Sequence, residues 1–162
     1  MKRDIFRVLS VVTLTLVGLA GCAGAAPNSG GGGSAGGGDS LSTASTGLGT
    51  IIVDGDGMTT YVFDNDTANS GTSACTGSCA VRWPAVKTTR TTPDSAGITG
   101  TVGTIDAING GKQVTINGLP LYTYAGDGAV GDVTGQGFGG IWWTVDPSGK
   151  KITQTATNDS GY

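Results

Sequence analysis

Two ten-residue stretches decide the fold: GMTTYVFDND at residues 57–66 and GLPLYTYAGD at residues 118–127. In both, a glycine leads into a Tyr-x-aromatic triplet, and an Asp follows the first Tyr by five positions. Each stretch then enters a loop rich in Gly, Ser and Thr and reaches a tryptophan, Trp83 or Trp142, about twenty residues after that Tyr. Two such motifs in the same order and at similar spacing indicate an internal duplication.

Alternating apolar positions in and around both stretches predict β-strands. Tyr61 and Phe63 share one face of the first strand, and Tyr122 and Tyr124 share one face of the second. The Asn-Gly pair at residues 117–118 is a strong hairpin signal. Further alternation and turn signals lie at Val114 with Ile116, at Ile141 with Trp143 and Val145, and at residues 109–111 and 147–149. We predict about seven or eight short strands and no amphipathic helix. The fold class is all-β, a duplicated antiparallel sandwich or small barrel with a pseudo-two-fold repeat.

The start of the chain resembles a bacterial lipoprotein signal. Residues 1–21 show the order of a secretory signal peptide: basic residues, an apolar run from Val8 to Leu19, then small residues. Leu19-Ala20-Gly21-Cys22 is similar to the lipobox, which implies cleavage before Cys22 and lipidation of its sulfur. The apolar run is too short for a transmembrane helix, which needs about 20 residues, and cleavage without lipidation would leave an unpaired exported thiol. The sequence predicts a chain that is lipid-anchored on the extracytoplasmic side of the cell membrane.

Composition divides the rest of the chain at about residue 47. Residues 22–46 carry the lipidated Cys22 and are mostly Gly, Ser, Ala and Thr, which is typical of a flexible tether. Residues 47–162 are expected to form a single β domain of two repeats, at about 48–90 and 100–155. Roughly 110 folded residues suffice for one modest core and are too few for two independent domains.

Charge and composition argue against several classes of function. The chain has no His and no Glu, and removal of residues 1–21 leaves six basic residues against eleven Asp, a net charge of −5. Nucleic-acid binding needs a basic footprint, so no nucleic-acid partner is expected. Without His, the usual general base, metal ligand and haem ligand are missing, so we expect no cofactor and no metal, and catalysis is disfavoured. The Gly-rich residues 135–140 lack the helix and Lys-Ser/Thr of a phosphate loop, so no nucleotide partner is expected.

The combined motifs resemble a family of bacterial secreted-repeat lipoproteins with a Y-x-(F/W/Y)-x-x-D motif. The matching residues are Tyr61, Phe63 and Asp66 in the first copy and Tyr122, Tyr124 and Asp127 in the second. Two further features of the family match the paired cysteines ahead of Trp83-Pro84 and the Gly-rich run into Trp142-Trp143. The resemblance covers about residues 48–150 and implies an envelope location and a repeated architecture. The family's function is unknown, so the resemblance implies no catalytic residues.

Cys75 and Cys79 are the only cysteines besides Cys22. In an oxidising compartment a disulfide is the default pairing, and a tight turn brings residues four apart within the Cα separation that a disulfide requires. The alternatives are a redox-active pair or a copper(I) site, since thiolates suit soft metals. Copper carriers usually add a His or Met, and neither lies nearby in the sequence. We expect a structural disulfide.

Asp66 and Asp127 hold the same position in the two copies. An Asp at the end of a strand accepts hydrogen bonds from the backbone of the following loop, and this is the role that we expect. The alternative is a calcium cluster that joins Asp66 to Asp54, Asp56 and Asp64, since calcium binds several oxygens. The spacing of these residues differs from that of the twelve-residue calcium loop, and the closing Glu is absent.

The large side chains are mostly aromatic, and a β domain with few Leu or Phe needs them for its core. Trp142 and Trp143 point to opposite faces of their strand, so both cannot face the same core. We expect Trp142 to be exposed, and an exposed tryptophan is a candidate binding surface for sugar rings or a protein partner.

The sequence therefore predicts a membrane-anchored envelope lipoprotein that acts as a non-enzymatic interaction module. Its expected partners are a wall polymer or another exported protein. The alternative function is a redox or soft-metal lipoprotein that uses Cys75 and Cys79. A hydrolase is disfavoured because no nucleophile–base pair is evident in the sequence.

Overall fold

A computed structural model describes residues 37–154, which consist mainly of short strands, turns and loops. The nine described strands are β1 (Ser40–Thr46), β2 (Gly49–Asp54), β3 (Tyr61–Phe63), β4 (Lys87–Thr88), β5 (Asp94–Ser95), β6 (Val102–Asp106), β7 (Lys112–Ile116), β8 (Leu119–Pro120) and β9 (Trp142–Thr144). The predicted signal peptide and Cys22 lie outside the described residues, as do residues 155–162.

The strands form three sheets, and the predicted all-β class is confirmed. One sheet has the order β2-β1-β5, a second pairs β3 with β9, and a third has the order β4-β7-β6 with β8 added to β7. Every pair of neighbouring strands is antiparallel except β1 with the two-residue β5, which is parallel. Tyr61 and Tyr122 also form an antiparallel bridge between the two sequence repeats.

The tight turn between β7 and β8 follows from the sequence signal at residues 117–118. Asn117 has φ 50° and Gly118 has φ 81°. Two successive positive φ angles suit a type I′ hairpin turn, whose twist matches that of the flanking strands. The turn pairs Ile116 with Leu119, so the hairpin that the sequence predicts at this point is confirmed.

β3 separates two hydrophobic cores, because side chains alternate along a strand. Val62 enters an aliphatic core, while Tyr61 and Phe63 enter an aromatic core. All three side chains are buried, which is expected of a strand covered on both faces. The aliphatic core consists of Leu41, Ile52, Val62, Val86, Val114, Ile116, Leu121 and Val145. The aromatic core consists of Tyr61, Phe63, Cys75, Trp83, Tyr122 and Trp142.

The expected end of the tether at residue 46 is wrong. Residues 40–46 form β1, which pairs with β2 over residues 41–46. Leu41 contributes its only strongly apolar side chain and is buried in the aliphatic core. The rest of β1 is Ser, Thr and Ala, so its composition resembles a linker, although Thr favours strands. The ordered part of the chain therefore begins before the boundary that composition suggests.

The sequence predicts no amphipathic helix, and the one short α-helix of the described residues, α1 (Ser78–Arg82), has no buried residue. Two single-turn 3₁₀ helices also occur, at Gly37–Asp39 and Phe138–Gly140. Five residues are too few to show helical periodicity in a sequence, so α1 leaves no pattern to detect. Within residues 37–154, none of the helices has the length and apolar character needed to cross a membrane.

Candidate functional site

The candidate site is built around the aromatic core, where both copies of the repeat motif meet. Trp83 and Trp142 stack face to face, with ring centroids 3.8 Å apart and an interplanar angle of 2°. Phe63 stacks on the other side of Trp142 at 4.2 Å, because β3 and β9 place these two residues opposite each other. Tyr61 meets the edge of Trp83 at 5.3 Å. Stacked and edge-on contacts of this kind add to the stabilisation from burial alone.

The expected exposure of Trp142 is wrong, because its side chain is 3% exposed. Trp142 and Trp143 point to opposite faces of β9, as predicted, but Trp142 is the one that is buried. Trp142 faces the aromatic core, whereas Trp143 packs against the aliphatic core and is only partly exposed. The Trp143 indole nitrogen donates a hydrogen bond to Asp64 Oδ2 at 3.0 Å. Both tryptophans are therefore used within the fold, on two different cores that flank the same strand.

The Tyr and Asp of the repeat motif exchange partners between the two copies. Tyr61 of the first copy donates its hydroxyl hydrogen bond to Asp127 Oδ2 of the second at 2.7 Å. Tyr122 of the second copy donates to Asp66 Oδ2 of the first at 2.6 Å. The backbones of the two tyrosines also pair, with N–O distances of 2.8 and 3.0 Å. The motif thus joins the two repeats reciprocally, in the manner of a pseudo-two-fold pair.

The second carboxylate oxygen of each Asp binds the loop that follows it. Asp66 Oδ1 accepts a hydrogen bond from the Ala74 backbone N–H at 2.7 Å. Asp127 Oδ1 accepts one from the Thr134 backbone N–H at 2.9 Å, and the Thr134 hydroxyl also donates to it. These are the loop contacts that the sequence predicts for both residues. The bonds from the tyrosines of the opposite repeat are an addition that no local pattern reveals.

The electrostatics of the two pairs keep the protons on the tyrosines. Burial raises the pKa of Tyr61 and of Tyr122, and the adjacent carboxylates raise each pKa further. Burial also raises the pKa of Asp66 above its usual value, although hydrogen bonds from Ala74 and Tyr122 oppose this effect. A tyrosine that resists ionisation is a poor general base or nucleophile near neutral pH. The pairs are suited to holding loops in place.

The predicted disulfide between Cys75 and Cys79 is present, with a Cα separation of 5.2 Å. Cys75 is 1% exposed and belongs to the aromatic core, whereas Cys79 is half-buried at its edge. Ser73 connects this loop to the motif, since its hydroxyl oxygen accepts from the Cys75 backbone N–H at 3.1 Å and lies 2.7 Å from the Tyr122 hydroxyl. The disulfide loop and the Tyr122–Asp66 pair are therefore one connected unit.

The residues of the alternative calcium site take separate structural roles. Asp54 Oδ1 accepts hydrogen bonds from the backbone N–H groups of Asp56 and Met58 in a turn. Asp64 forms an ion pair with Lys151 at 2.6 Å, while Asp66 faces Tyr122. Among residues 37–154, no group of three or more Cys or Asp side chains is placed to hold a metal ion.

Exposed side chains of α1 and the partly exposed Phe138 lie near the edge of the aromatic core. Phe138 is 37% exposed and lies 5.7 Å from both Trp83 and Tyr124, measured between ring centroids. The Arg82 guanidinium carbon lies 5.5 Å from the centroid of the Phe138 ring. Val81, the neighbour of Arg82 on α1, is 76% exposed. We call Val81, Arg82 and Phe138 the α1 patch. No sequence signal identifies it, because it depends on α1.

Comparison with known proteins agrees with the duplicated architecture. A family described as a secreted repeat of unknown function matches the chain twice, at residues 42–87 and 103–146. The first match contains Tyr61 and Asp66, and the second contains Tyr122 and Asp127, so each match holds one member of both exchanged pairs. No curated protein and no solved structure matches the chain. The two matches cover more than half of the sequence and confirm the resemblance seen in its motifs. The chain belongs to this family of secreted repeats of unknown function.

Proposed function

We propose that the protein is a lipid-anchored component of the bacterial cell envelope whose β domain is a non-enzymatic interaction module. Membership of a family of secreted repeats supports a position outside the cytoplasm. The signal-like residues 1–21 and the lipobox-like sequence ending at Cys22 support anchoring through a lipid. The partner that we propose is another exported protein.

The observation that carries the interaction role is the α1 patch. It combines an exposed valine, a partly exposed phenylalanine and an arginine that lies over the phenylalanine ring. Aromatic and Arg side chains are enriched among the residues that dominate binding energy at protein interfaces. The stacked aromatic core beneath Phe138 limits the conformational freedom of that side chain, which lowers the entropy that binding would remove.

The internal use of the polar side chains supports a non-enzymatic role. Each motif Asp accepts a hydrogen bond on both carboxylate oxygens, and the hydroxyls of Tyr61 and Tyr122 donate to these carboxylates. Cys75 and Cys79 are joined to each other. Every fully buried polar side-chain atom of the described residues has a hydrogen-bond partner. These groups are engaged in holding the two repeats together rather than aimed at a substrate.

Lipid anchoring is tested by replacing the predicted lipidation site in the full-length chain. The full chain and its Cys22→Ala variant are expressed in a bacterial host that processes lipoproteins and are labelled with radioactive palmitate. We expect the parent chain to take up label and to sediment with membranes, and the variant to do neither. Label on the variant, or a parent chain that stays unlabelled, would contradict the anchoring proposal.

The interaction role is tested by photo-crosslinking from the α1 patch in cells. A photoreactive amino acid replaces Val81, which is 76% exposed, and the matched control places it at Val130, which is 67% exposed. We expect a discrete adduct with an exported protein from position 81 alone, and loss of that adduct when Phe138→Ala is added. Equal adducts from both positions would contradict the proposal, and an adduct with a wall polymer would replace the proposed class of partner.

The partial exposure of Cys79 favours one alternative, a redox function for the disulfide. An external thiol would reach the Cys79 sulfur before that of Cys75, which is buried in the aromatic core. Structural disulfides resist the glutathione pool, whereas labile ones open near its potential. Titration of the oxidised protein against a glutathione buffer distinguishes the two functions. A resistant bridge supports the interaction module, and an opening bridge would support the redox function.

A further inference from the structure

A pocket of about 220 Å³ lies between α1 and the loop that joins β6 to β7. Its floor is formed by the buried side chains of Gln113 and Tyr122. Trp83 and Ala80 contribute an apolar wall, and Ile108, which is 51% exposed, lies at the mouth beside Lys87. Mainly apolar pockets with a few convergent polar groups are the usual form of small-ligand sites.

The floor of the pocket offers an available hydrogen-bond acceptor. Gln113 is 1% exposed, and its side-chain nitrogen donates to the Leu121 carbonyl oxygen at 2.9 Å. Its side-chain oxygen accepts no hydrogen bond from the described residues. Every fully buried polar side-chain atom of the described residues has a hydrogen-bond partner. Since the Gln113 side-chain oxygen has none, it is not fully buried, and it is accessible from the pocket that Gln113 lines. The available oxygen of this almost buried amide can accept a hydrogen bond from an N–H group of a ligand.

Lys87 supplies a positive charge next to this acceptor. Lys87 and Gln113 are directly opposite each other in the β4–β7 register, and opposed residues of an antiparallel pair project to the same face. The Lys87 ammonium donates to the carbonyl oxygens of Asn109 and Gly110 at 3.2 and 2.9 Å. These bonds fix its position at the pocket, and its third proton remains available. Within residues 37–154, no carboxylate forms an ion pair with it.

We propose that this pocket binds a carboxylate that lies next to an amide N–H, as at the C-terminal end of a peptide. The carboxylate receives the available Lys87 proton, and the amide N–H donates to the Gln113 side-chain oxygen. The small side chain of the terminal residue contacts Trp83. The same chemistry occurs in a free N-acyl amino acid, so the test includes both sources. None of these residues belongs to the α1 patch, so this site and the proposed interaction surface succeed or fail independently.

The first test is calorimetric titration of the full chain with N-acetyl-dialanine. A ligand of this size is expected to bind with a dissociation constant on the order of 1 mM. Its C-terminal amide, which lacks the negative charge, should bind at least tenfold more weakly. Added salt should weaken binding of the acid, because the ion pair is screened. Tighter binding of N-acetyl-dialanine than of N-acetylalanine assigns a peptide end, and equal binding assigns a free acylated amino acid.

The second test removes the charge at the pocket and at a matched position outside it. Lys87→Met should weaken binding of the acid at least tenfold, whereas Lys87→Arg should largely retain it. Lys112→Met is the control, because Lys112 is the neighbour of Gln113 on β7 but pairs with Asp106 at the surface. Thermal unfolding of each variant shows whether the fold is retained.

Three results would overturn the proposal. The first is equal binding of the acid and the C-terminal amide. The second is the absence of saturable binding at ligand concentrations well above the expected dissociation constant. The third is binding that Lys87→Met leaves unchanged in a folded protein. If Lys87→Met does not fold, the comparison of acid with amide on the parent chain decides the question alone.

Discussion

Replacement of Tyr61 by Phe tests the Tyr61–Asp127 pair by removing only the hydroxyl group that donates the hydrogen bond. The ring is completely buried and its edge-on contact with Trp83 is kept in the variant, so only the hydroxyl is lost. That hydroxyl donates to Asp127 at 2.7 Å and accepts from the Gly135 backbone N–H at 3.3 Å. Hydrogen bonds to charged groups contribute about 1.5–3 kcal/mol, and an unsatisfied buried partner adds to the cost.

The expected loss for Tyr61→Phe is therefore about 2 kcal/mol of unfolding free energy. At roughly 4 °C per kcal/mol for a domain of this size, the melting temperature should fall by about 8 °C. Urea unfolding followed by tryptophan fluorescence measures the free energy by linear extrapolation. Tyr124→Phe is the matched control, because Tyr124 packs against the same core but its hydroxyl binds no described residue. Equal losses for the two variants would refute the structural role of the Tyr61–Asp127 pair.

Three further predictions concern pH, the disulfide and packing. Because burial raises the pKa of Tyr61 and Tyr122, the folded chain keeps protons that the unfolded chain loses above about pH 10. Stability should therefore fall as pH rises, by about 1.4 kcal/mol per pH unit for each of the two, and spectrophotometric titration should show two delayed tyrosines. The double variant Cys75→Ala/Cys79→Ala should lose about 2 kcal/mol in urea unfolding, since the closed loop is short. Gly135→Ala should lose about 1–3 kcal/mol by the same assay, because its added Cβ lies 2.8 Å from Trp83 and 2.9 Å from Tyr61.

Each of these predictions has a control and a result that contradicts it. Four tyrosines that titrate together at an ordinary pKa would contradict the first. The disulfide prediction fails if the double variant unfolds at the same urea concentration as the parent. For the packing prediction the control is Gly103→Ala, whose Cβ would approach only the Thr115 hydroxyl, at 3.2 Å. A larger loss at Gly103 than at Gly135 would contradict the account of the crowded aromatic core.

The repeated motif allowed the fold class to be predicted, because its signals are local. Period-two alternation at Tyr61 and Phe63 predicts a strand, and the Asn-Gly pair at residues 117–118 predicts a hairpin. The disulfide was also predictable, since Cys75 and Cys79 are close in sequence and their pairing needs only a tight turn. Features of this kind are determined within about ten residues of chain.

Boundaries and exposure depend on tertiary contacts, and these were predicted less well. β1 resembles a linker because one buried leucine and a set of small residues suffice when the neighbouring strands β2 and β5 supply its backbone partners. Alternation predicts that Trp142 and Trp143 point to opposite faces of β9, as the structure confirms, but it does not say which face is covered. Both faces of β9 are covered, by two different cores, so neither tryptophan is a free platform.

The exchange of Tyr–Asp hydrogen bonds between the two repeats could not be predicted from the sequence. Within one copy, the Tyr and Asp of the motif are five positions apart, and this spacing indicates no partner for the Tyr hydroxyl. The structure instead joins residues 56 and 66 positions apart, because the two copies meet at the Tyr61–Tyr122 backbone bridge. Only the three-dimensional arrangement of the two copies distinguishes a partner in the same repeat from one in the other.

A double-mutant cycle between Tyr61 and Asp127 tests the central claim most directly. Urea unfolding is measured for Tyr61→Phe, Asp127→Asn and the double variant, and again with Asp66→Asn in place of Asp127→Asn. A contacting pair should show a coupling energy of about 1–2 kcal/mol, and a non-contacting pair less than about 0.5 kcal/mol. The reciprocal exchange predicts strong coupling of Tyr61 to Asp127 and weak coupling to Asp66. Stronger coupling of Tyr61 to Asp66, within its own repeat, would contradict it.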